Sequence, residues 1–393
     1  MDTRKEEDRR PSLSPLRLPH LNLRNVLILA LLVRLLFLFA VVLPFFEKGV
    51  LNKADTRWFD QEAQAIAFQG QNSLDYPEWG ILYYMAGIYR LFGHFPLAVG
   101  LAQIGVAVLV CLGIYLIGKL IYNPQAGLWA ALGFTLYPEA IYWAAFPMKE
   151  CLLALEIVIV VYCGVCFSRK LSLWALGSMI LASGALYVTR PPYIGLAVFV
   201  LGLALIYRLR SWVLRLILAA SGLLLGIAIW RFVPAVQQAI HASLPTSIWD
   251  PVLQNSVPVG TLFQHWYNPG YLLPRVGLAF KDVWALVPRE GYGHWGVLLA
   301  PFALFMLLTA AHGFIKSLWR WKRNPHWLLI VLPLLCYTAL MGITVRGLRF
   351  RYPLVPLMWV LSGFSIQHLF GEGGLKTWFS KTSARLSSWI KWR

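Results

Sequence analysis

The chain has 393 residues, of which 59% are hydrophobic and only 13% are charged, and its mean hydropathy is +0.62. This composition excludes an ordinary water-soluble domain and indicates a chain that lies mostly in lipid. The formal net charge of +18 is explained by the excess of Lys and Arg that membrane proteins carry on their cytoplasmic side, so we expect no nucleic-acid partner.

Apolar stretches that are long enough to span a bilayer recur along nearly the whole chain. A spanning helix needs roughly 20 mainly apolar residues, because it must satisfy its own backbone hydrogen bonds in hydrocarbon. The sequence therefore predicts an all-α fold, a polytopic transmembrane bundle of about ten helices. The predicted spans are residues 26–44, 95–121, 125–144, 148–167, 171–188, 191–207, 212–232, 294–315, 326–343 and 352–370.

Clusters of basic residues orient these spans. By the positive-inside rule, the side of the membrane that collects Lys and Arg is cytoplasmic. The clusters that fall on one side are Lys119, Arg169-Lys170, Arg208 with Arg210 and Arg215, Lys316 to Arg323, and the tail from Lys376 to Arg393. The two long connecting segments, 45–95 and 233–293, then lie on the outer side, where function is to be sought.

The segments outside the spans have distinct compositions. Residues 1–25 are polar and rich in Pro, which predicts a disordered cytoplasmic N-terminus before a transmembrane catalytic domain over 26–370. Residues 371–393 alternate basic and apolar side chains at helical spacing, which predicts a basic amphipathic cytoplasmic tail. In the first outer segment, residues 58–69 and 79–92 are too short or too polar to span, so we expect interfacial helices there.

The outer side also holds ionisable residues where few are expected. Charges at the membrane edge are costly, and Lys149, Arg190, Arg346, Arg349 and Arg351 break the positive-inside pattern. They indicate an anionic ligand such as the phosphate of a lipid carrier, because the planar guanidinium of Arg matches phosphate oxygens. An alternative stays open for each of them: contact with phospholipid headgroups, or pairing with a carboxylate such as Glu139 or Glu150.

The order of these tracts resembles the GT-C class of polyprenyl-phosphate-sugar-dependent glycosyltransferases, most closely its protein mannosyltransferase and aminoarabinose transferase branch. The resemblance covers roughly residues 26–370. The residues that carry it are Asp55, Phe59 and Ala63; Tyr76-Pro77, Tyr83-Tyr84 and Leu91-Phe92-Gly93; Tyr137-Pro138-Glu139; Lys149-Glu150; Arg190-Pro191; and Arg349 to Pro356.

The resemblance implies a membrane glycosyltransferase that moves a sugar from a polyprenyl-phosphate donor to a lipid, glycan or protein acceptor by an inverting displacement. In this reading Asp55 is the catalytic base, and the basic residues stabilise the leaving phosphate. Many relatives have two adjacent acids in the first outer loop, whereas here Thr56 follows Asp55 and the next acid is Asp60. Asp60 is therefore a rival base, and Glu150 belongs to the same expected substrate site.

Aromatic residues near these charges are candidates for lining the sugar pocket: Trp58, Tyr76, Tyr83 and Tyr352. Glu156, in the middle of a predicted span, must be protonated or paired there. No cofactor is expected, and dependence on a divalent metal stays open because a single first-loop acid serves with or without one. We expect an integral protein of a prokaryotic inner membrane with its active site on the outer face.

Two other function classes stay open. A transporter or flippase of a lipid-linked glycan would use the same arginines, but would place charges around a cavity at mid-membrane. An enzyme of the O-antigen ligase or polymerase type would depend on outer-loop arginines and on a histidine such as His265. The sequence names neither the sugar nor the acceptor.

Overall fold

The computed structural model describes most of the chain, in several stretches. These are residues 22–43, 54–70, 79–209, 247–250, 255–258, 274, 295–320, 324–344 and 348–371. The predicted span 212–232, Tyr76, Arg346, nearly all of the predicted disordered N-terminus and nearly all of the predicted C-terminal tail lie outside these residues. The side chains of Asp55 and Arg349 also lie outside the description, although their backbones belong to helices.

Helices dominate the described residues. The α-helices are α1 Leu23–Phe37, α2 Ala54–Phe68, α3 Trp79–Phe92, α4 Pro96–Ile121, α5 Pro124–Leu136, α6 Pro138–Ala145, α7 Glu150–Arg169, α8 Leu173–Thr189, α9 Ile194–Arg208, α10 Trp295–Trp319, α11 Leu328–Thr344 and α12 Val355–Ile366. Short 3-10 helices precede three of them, at Pro191–Tyr193, Pro325–Trp327 and Leu348–Leu354, and π-helical turns extend two, at Leu38–Val42 and Gln367–Gly371.

The prediction of a polytopic helical membrane protein is confirmed. Within the described residues, four helical segments are long and apolar enough to cross a membrane: Leu23–Val42, Pro96–Ile121, Glu150–Arg169 and Leu299–Trp319. Shorter apolar helices occupy Leu173–Thr189, Ile194–Arg208 and Pro325–Thr338. Each predicted span that falls within the described residues is largely helical.

Proline positions explain where the observed helices differ from the predicted spans. The span predicted over 125–144 is wrong as one continuous helix, because Tyr137 is extended (φ −73°, ψ 116°) and α6 starts anew at Pro138. A residue before proline avoids the α conformation, since the proline ring collides with its backbone. Pro191 and Pro325 likewise open the 3-10 turns that lead into α9 and α11.

Close helix packing depends on small residues. Helix α4 contacts α1, α5, α7 and α12, which places it at the centre of the bundle. A Cβ added at Gly133 would lie 2.1 Å from the Trp359 ring, and one at Gly363 would lie 2.4 Å from the Ala126 carbonyl oxygen. Glycines at such positions let helices in membranes approach closely enough for van der Waals packing to hold them.

One element was not predicted. Strands β1 (Ser247–Asp250) and β2 (Asn255–Pro258) form an antiparallel two-stranded ribbon, with Ser247 opposite Pro258 and Asp250 opposite Asn255. The ribbon belongs to the second long connecting segment, outside the membrane spans, and adds a small hairpin to the helical bundle.

Candidate active site

The first connecting segment forms a helical hairpin in which α2 packs on α3. The apolar side chains Phe59, Ala63 and Ile66 are buried and recur at helical spacing, which fixes the inward face of α2. Interfacial helices were predicted over 58–69 and 79–92, and the observed helices are Ala54–Phe68 and Trp79–Phe92. The first predicted acid, Asp55, therefore lies in the first turn of α2, one helical turn before Phe59.

Asp60 lies on a different face of α2 and is engaged by neighbours. Its carboxylate accepts a short hydrogen bond from the Tyr89 hydroxyl, a 2.9 Å bond from Gln64 Nε2, and contacts of 3.1 and 3.2 Å from His94 Nε2. Burial, followed by the hydrogen bond to Asp60 and its charge, raises the pKa of the Tyr89 hydroxyl well above its usual value. Tyr89 therefore stays protonated and donates to Asp60, which ties α2 to the end of α3.

The Lys149–Glu150 tract is buried between α2 and the bundle. Lys149 is only 6% exposed, and its ammonium lies 5.6 Å from the centre of the Phe59 ring, a cation–π distance. The turn before it is fixed by Gln103 Nε2, which donates to the Met148 carbonyl over 2.9 Å. Glu150 is 2% exposed and opens α7. The structure thus brings the first outer segment and this tract together.

A buried ion pair links the last predicted tract to α6. Arg351 Nη2 lies 2.8 Å from Glu139 Oε2, its Nε donates to the same carboxylate over 3.1 and 3.3 Å, and both side chains are 1% exposed or less. The Tyr137 hydroxyl also donates to Glu139 over 2.8 Å. For Arg351 the structure therefore shows carboxylate pairing, which was the alternative to direct contact with a ligand.

Tyr352, the next residue, is also buried in the interior. It is fully buried, and its hydroxyl lies 3.9 Å from the Cys151 sulfur, one residue after Glu150. Its ring contacts those of Phe134 and Trp143. Tyr352 therefore joins the Arg351 segment to the start of α7, so the tracts around residues 139, 150 and 351 form one end of the bundle.

Arg190 closes the C-terminal end of α8 at the same place. It is 8% exposed, and its guanidinium carbon lies 6.0 Å from the centre of the Tyr193 ring. Its neighbour Thr189 donates to Glu156 Oε1 over 2.7 Å, and a Cβ at Gly80 of α3 would lie 2.3 Å from the Thr189 hydroxyl oxygen. The start of α3, the end of α8 and the middle of α7 are therefore in direct contact.

The remaining predicted residues are placed as follows. Trp58 is half-buried, with its ring edge on Phe59, while Tyr83 is 43% exposed. Tyr76, Arg346 and the side chains of Asp55 and Arg349 lie outside the described residues. The structure thus places Lys149, Glu150, Arg351 and Tyr352 around the start of α7 and Arg190 at the end of the adjacent helix α8, and it places the backbone of Asp55 on the helix that contacts Lys149.

Sequence reasoning did not select Arg34 as a site residue. It is fully buried in α1, where it donates to the Ala30 carbonyl over 3.0 Å and to the Phe134 carbonyl over 3.5 Å. Its guanidinium also lies 5.5 Å from the centre of the Phe134 ring. The sequence did indicate the importance of Arg34, because a charged residue inside an apolar span is costly and is usually kept for a functional or structural role.

Several other buried polar groups lie on the helices around Arg190 and Thr189, and of these the sequence analysis did not select Trp79 or Tyr337. Among the described residues, no hydrogen-bond partner occurs for Trp79 Nε1, the Tyr84 hydroxyl, the Tyr337 hydroxyl or Glu156 Oε2. Burial raises the pKa of Tyr84 well above its usual value, so its hydroxyl stays available as a donor. These groups belong to α3, α7 and α11, and buried polar atoms left unpaired by the protein point to a bound polar ligand or water.

The described residues offer no ready metal site. No group of three or more His, Cys, Asp or Glu side chains that could hold an ion occurs among them. The side chain of Asp55 lies outside that search.

Comparison with known proteins yields structural similarity only. No protein-family model matches the chain, and no curated protein sequence matches it. Among solved structures, it is similar to ArnT from Cupriavidus metallidurans bound to undecaprenyl phosphate, with 15% identity and a TM-score of 0.46 over 78% of this chain and 54% of that one.

The chain is also similar to an archaeal oligosaccharyltransferase, AglB from Archaeoglobus fulgidus, in complex with an inhibitory peptide and a dolichol-phosphate. The identity is 13% and the TM-score 0.49, over 92% of this chain and 52% of that one. A second structure of the A. fulgidus oligosaccharyltransferase, with Zn and sulfate, gives 14% identity and a TM-score of 0.49, over 88% and 49%. The chain thus spans about half the length of these proteins, and similarity at this level carries no argument about activity.

Proposed function

We propose that this protein is a membrane glycosyltransferase that moves one sugar from a polyprenyl-phosphate donor to a lipid, glycan or protein acceptor at the non-cytoplasmic face. The observation that carries the proposal is the packing of Lys149 against Phe59. This contact sets α2, the helix that contains Asp55, against a buried cation at the end of the bundle where Arg190 is also buried.

The proposed reaction is one inverting displacement. Asp55 accepts the proton of the acceptor hydroxyl as that oxygen forms a bond to the anomeric carbon of the sugar. The bond from the anomeric carbon to the phosphate oxygen breaks, and the polyprenyl phosphate leaves with the bonding electrons. Negative charge grows on the phosphate during this step, and a positioned cation in a poorly hydrated site stabilises it more than water would.

Lys149 and Arg190 are the proposed phosphate ligands. Both are less than a tenth exposed, and they belong to segments that meet through α7 and α8. Arg351 takes a supporting role, because its Nε and Nη2 donate to Glu139 and so anchor the segment 348–354 that also includes Arg349. Tyr352 holds the same segment against α7, because its hydroxyl lies 3.9 Å from the Cys151 sulfur.

The geometry favours Asp55 over Asp60 as the base. Asp60 Oδ1 and Oδ2 already accept hydrogen bonds from Tyr89 and Gln64, so both carboxylate oxygens are engaged within the hairpin. Asp55 and Phe59 are four residues apart on one face of α2, and Phe59 contacts Lys149. Asp60 is five residues from Asp55, about 140° round the helix, so it lies on another face.

The unpaired polar groups of α3, α7 and α11 suit the sugar or the acceptor. The Trp79 indole N–H and the Tyr84 and Tyr337 hydroxyls can each donate a hydrogen bond, and Glu156 Oε2 can accept one. Sugar hydroxyls need both donors and acceptors, and aromatic rings such as Trp58 and Tyr83 offer apolar faces to pyranose rings. Together with Tyr76, these residues form the proposed sugar pocket.

The transporter alternative needs charged side chains around a cavity at mid-membrane. Arg34 and Glu156 lie inside the apolar helices α1 and α7, where Arg34 donates to carbonyls of α1 and α5 and Glu156 Oε1 accepts from Thr189 at the end of α8. The described residues therefore favour a reaction at one end of the bundle over passage through its middle.

A transfer assay with matched acid variants tests the proposal. Purified protein in proteoliposomes is given a panel of polyprenyl-phosphate hexoses and pentoses with a membrane extract as acceptor, and the release of polyprenyl phosphate is followed. We expect Asp55→Asn to lose at least about 100-fold in rate, the usual contribution of a general base. The matched Asp60→Asn protein keeps its activity within about tenfold, since that carboxylate positions the hairpin.

Two results would overturn the assignment. If Asp55→Asn transferred sugar at the parental rate, Asp55 would not be the base. If intact donor crossed the bilayer and no polyprenyl phosphate were released, the protein would be a transporter.

A further inference from the structure

The opposite end of the bundle contains a polar cavity that the proposed reaction does not use. Its volume is about 340 Å³, and it lies where α4, α10 and α12 end. That volume is within the usual range for small-ligand sites. The lining residues are Ile121, Tyr122, Asn123, Ser317, Arg320, Asn324, Trp327 and Phe364.

The walls of this cavity are held by specific contacts. The Tyr122 ring stacks on Phe364 with centroids 4.2 Å apart, and the Tyr122 hydroxyl lies 2.8 Å from Ser317 Oγ. Asn123 donates to Gln367 over 2.9 Å, and Asn324 Nδ2 donates to the Ile121 carbonyl. These contacts fix the shape of the cavity, which is formed where three helices end.

Two buried polar atoms of the lining are left without a partner. Trp327 is 3% exposed, and among the described residues neither its indole N–H nor Asn324 Oδ1 has a hydrogen-bond partner. One is a donor and the other an acceptor. The Arg320 guanidinium, 5.4 Å from the centre of the Phe364 ring, adds a cation at the mouth. A fitting ligand therefore presents an anion together with a hydroxyl hydrogen.

Among the described residues, charge at this end is of one sign. The sequence stretches that meet here, 96–138, 157–209 and 295–371, contain no Asp or Glu, and the next acid along the chain is Glu372. Lys119, Arg169, Arg208 and Lys316 lie at the same end as Arg320, and Arg208 donates to the Phe167 carbonyl over 3.1 Å. Basic pockets between membrane helices are typical sites for anionic lipid headgroups.

A second, apolar groove lies next to the polar cavity. It measures about 240 Å³ and is lined by residues of α10, α11 and α12, including Phe314, Leu334 and Leu361. The Phe314 and Trp327 rings meet edge to face, 5.8 Å apart, where the groove and the cavity adjoin. A polar pocket at the helix ends followed by an apolar groove toward the bilayer centre fits a headgroup followed by an acyl chain.

We propose that this cavity and groove bind an anionic glycerophospholipid whose headgroup carries a hydroxyl, as phosphatidylglycerol does. Arg320 and the Trp327 N–H bind the phosphodiester, Asn324 Oδ1 accepts from a headgroup hydroxyl, and one acyl chain lies in the groove. The site is separate from the Lys149 end and does not depend on the proposed sugar transfer. By holding the ends of α4, α10 and α12 together, the lipid stabilises the bundle.

The test measures lipid binding directly in the full chain. Delipidated protein in a neutral detergent is titrated with phosphatidylglycerol, phosphatidylcholine, polyprenyl phosphate or inorganic phosphate, and bound lipid is counted by native mass spectrometry alongside the melting temperature. We expect phosphatidylglycerol to bind and raise the melting temperature. Phosphatidylcholine, which lacks both net charge and hydroxyl, binds at least about tenfold more weakly, since each charge-assisted bond contributes that much.

Three variants assign the effect to the site. Arg320→Gln removes the exposed cation, Trp327→Phe removes the indole N–H together with part of the ring, and Ala311→Phe fills the apolar groove from an exposed position. Each is expected to weaken phosphatidylglycerol binding about tenfold. Arg208→Gln is the matched control, because it removes a cation from the same end without touching the cavity, and it leaves binding unchanged.

The proposal fails on any of three results. Equal binding by Arg320→Gln and the parent would show that the lipid lies elsewhere. A thermal shift from inorganic phosphate equal to that from phosphatidylglycerol would show a free-anion site. Displacement of phosphatidylglycerol by an equal amount of polyprenyl phosphate would make the cavity a site for the donor lipid.

Discussion

Charged side chains are arranged differently at the two ends of the helical bundle. At the Lys149 end, acids and bases are buried together, and the clearest case is the Glu139–Arg351 pair at 2.8 Å. At the Arg320 end, the described charges are all basic, and they contact aromatic rings or helix carbonyls close to the surface.

The physical cost of these two arrangements differs. Buried charges need individual partners, because each loses its hydration, so the Lys149 end is fixed in geometry before any ligand binds. Surface cations keep much of their hydration and are free to meet headgroups. The difference indicates that charge chemistry belongs to the first end and lipid contact to the second.

Breaking the buried ion pair should have the largest effect. Glu139→Gln leaves Arg351 buried beside a neutral amide, and we expect the free energy of unfolding to fall by about 3–5 kcal/mol. Reversible unfolding in mixed micelles measures this. The double variant Glu139→Gln with Arg351→Met should recover part of the loss, since it removes the stranded charge. A single-variant loss below about 1 kcal/mol would mean that the pair behaves like a surface pair.

Removal of the Lys149 charge should separate activity from stability. Lys149→Met keeps most of the side-chain volume, and we expect the transfer rate to fall about 10- to 100-fold while the melting temperature stays close to that of the parent. Lys119→Met is the matched control at the other end, where the ammonium lies over the Tyr115 ring, and it should leave transfer unchanged. Equal rates for the two variants would remove the distinction between the ends.

Close packing of α12 against α5 gives a third prediction. Gly363→Ala places a methyl group 2.4 Å from the Ala126 carbonyl oxygen and 2.5 Å from the Ala130 nitrogen, so α12 and α5 must separate. We expect a loss of about 1–3 kcal/mol in the free energy of unfolding. Gly202→Ala in α9, where a Cβ meets nothing within 4 Å, should be neutral or slightly stabilising. Similar losses in both variants would show that the contact of Gly363 with α5 does not determine the effect.

The smallest effect is expected at the α2–α3 hairpin. Tyr89→Phe removes one of the hydrogen bonds to Asp60 but leaves Gln64 and His94 in place, so a loss of about 1 kcal/mol in stability is expected, with sugar transfer unchanged. Tyr187→Phe, at a half-exposed position in α8, is the control for loss of a hydroxyl. A large loss of transfer in Tyr89→Phe would favour Asp60 as the base.

Most of the fold could be predicted because membrane spans leave a strong signal. Runs of apolar residues predicted α4, α7 and α8 within a few residues, and the two interfacial helices were found from their length and polarity. The break at Pro138 was missed, although a proline within a predicted span is the usual sign of one. The ribbon of β1 and β2 was missed because the segment is rich in aromatic residues that favour either an interfacial helix or a strand.

The sequence predicted which residues belong to the candidate site but not which of them contact each other. From the sequence, Arg351 could either contact a ligand or pair with a carboxylate. The fold decides between them, because Glu139, 212 positions earlier, lies within 3.3 Å of the Arg351 guanidinium. The sequence shows Arg34 as a charge inside a span. Its partners could not be predicted, because they are backbone carbonyls, and every residue has one. Periodicity identifies faces of helices, whereas contacts between distant segments depend on packing that no local pattern records.

In the proposed mechanism, a lone acid on α2 and the buried cations Lys149 and Arg190 share one site. A density map of the protein with bound polyprenyl phosphate tests it most directly. We expect the phosphate within hydrogen-bond distance of Lys149 and Arg190, with the Asp55 carboxylate facing the same cavity. A phosphate bound beside Arg320 at the other end, or an Asp55 carboxylate turned to bulk water away from the cations, would contradict the account.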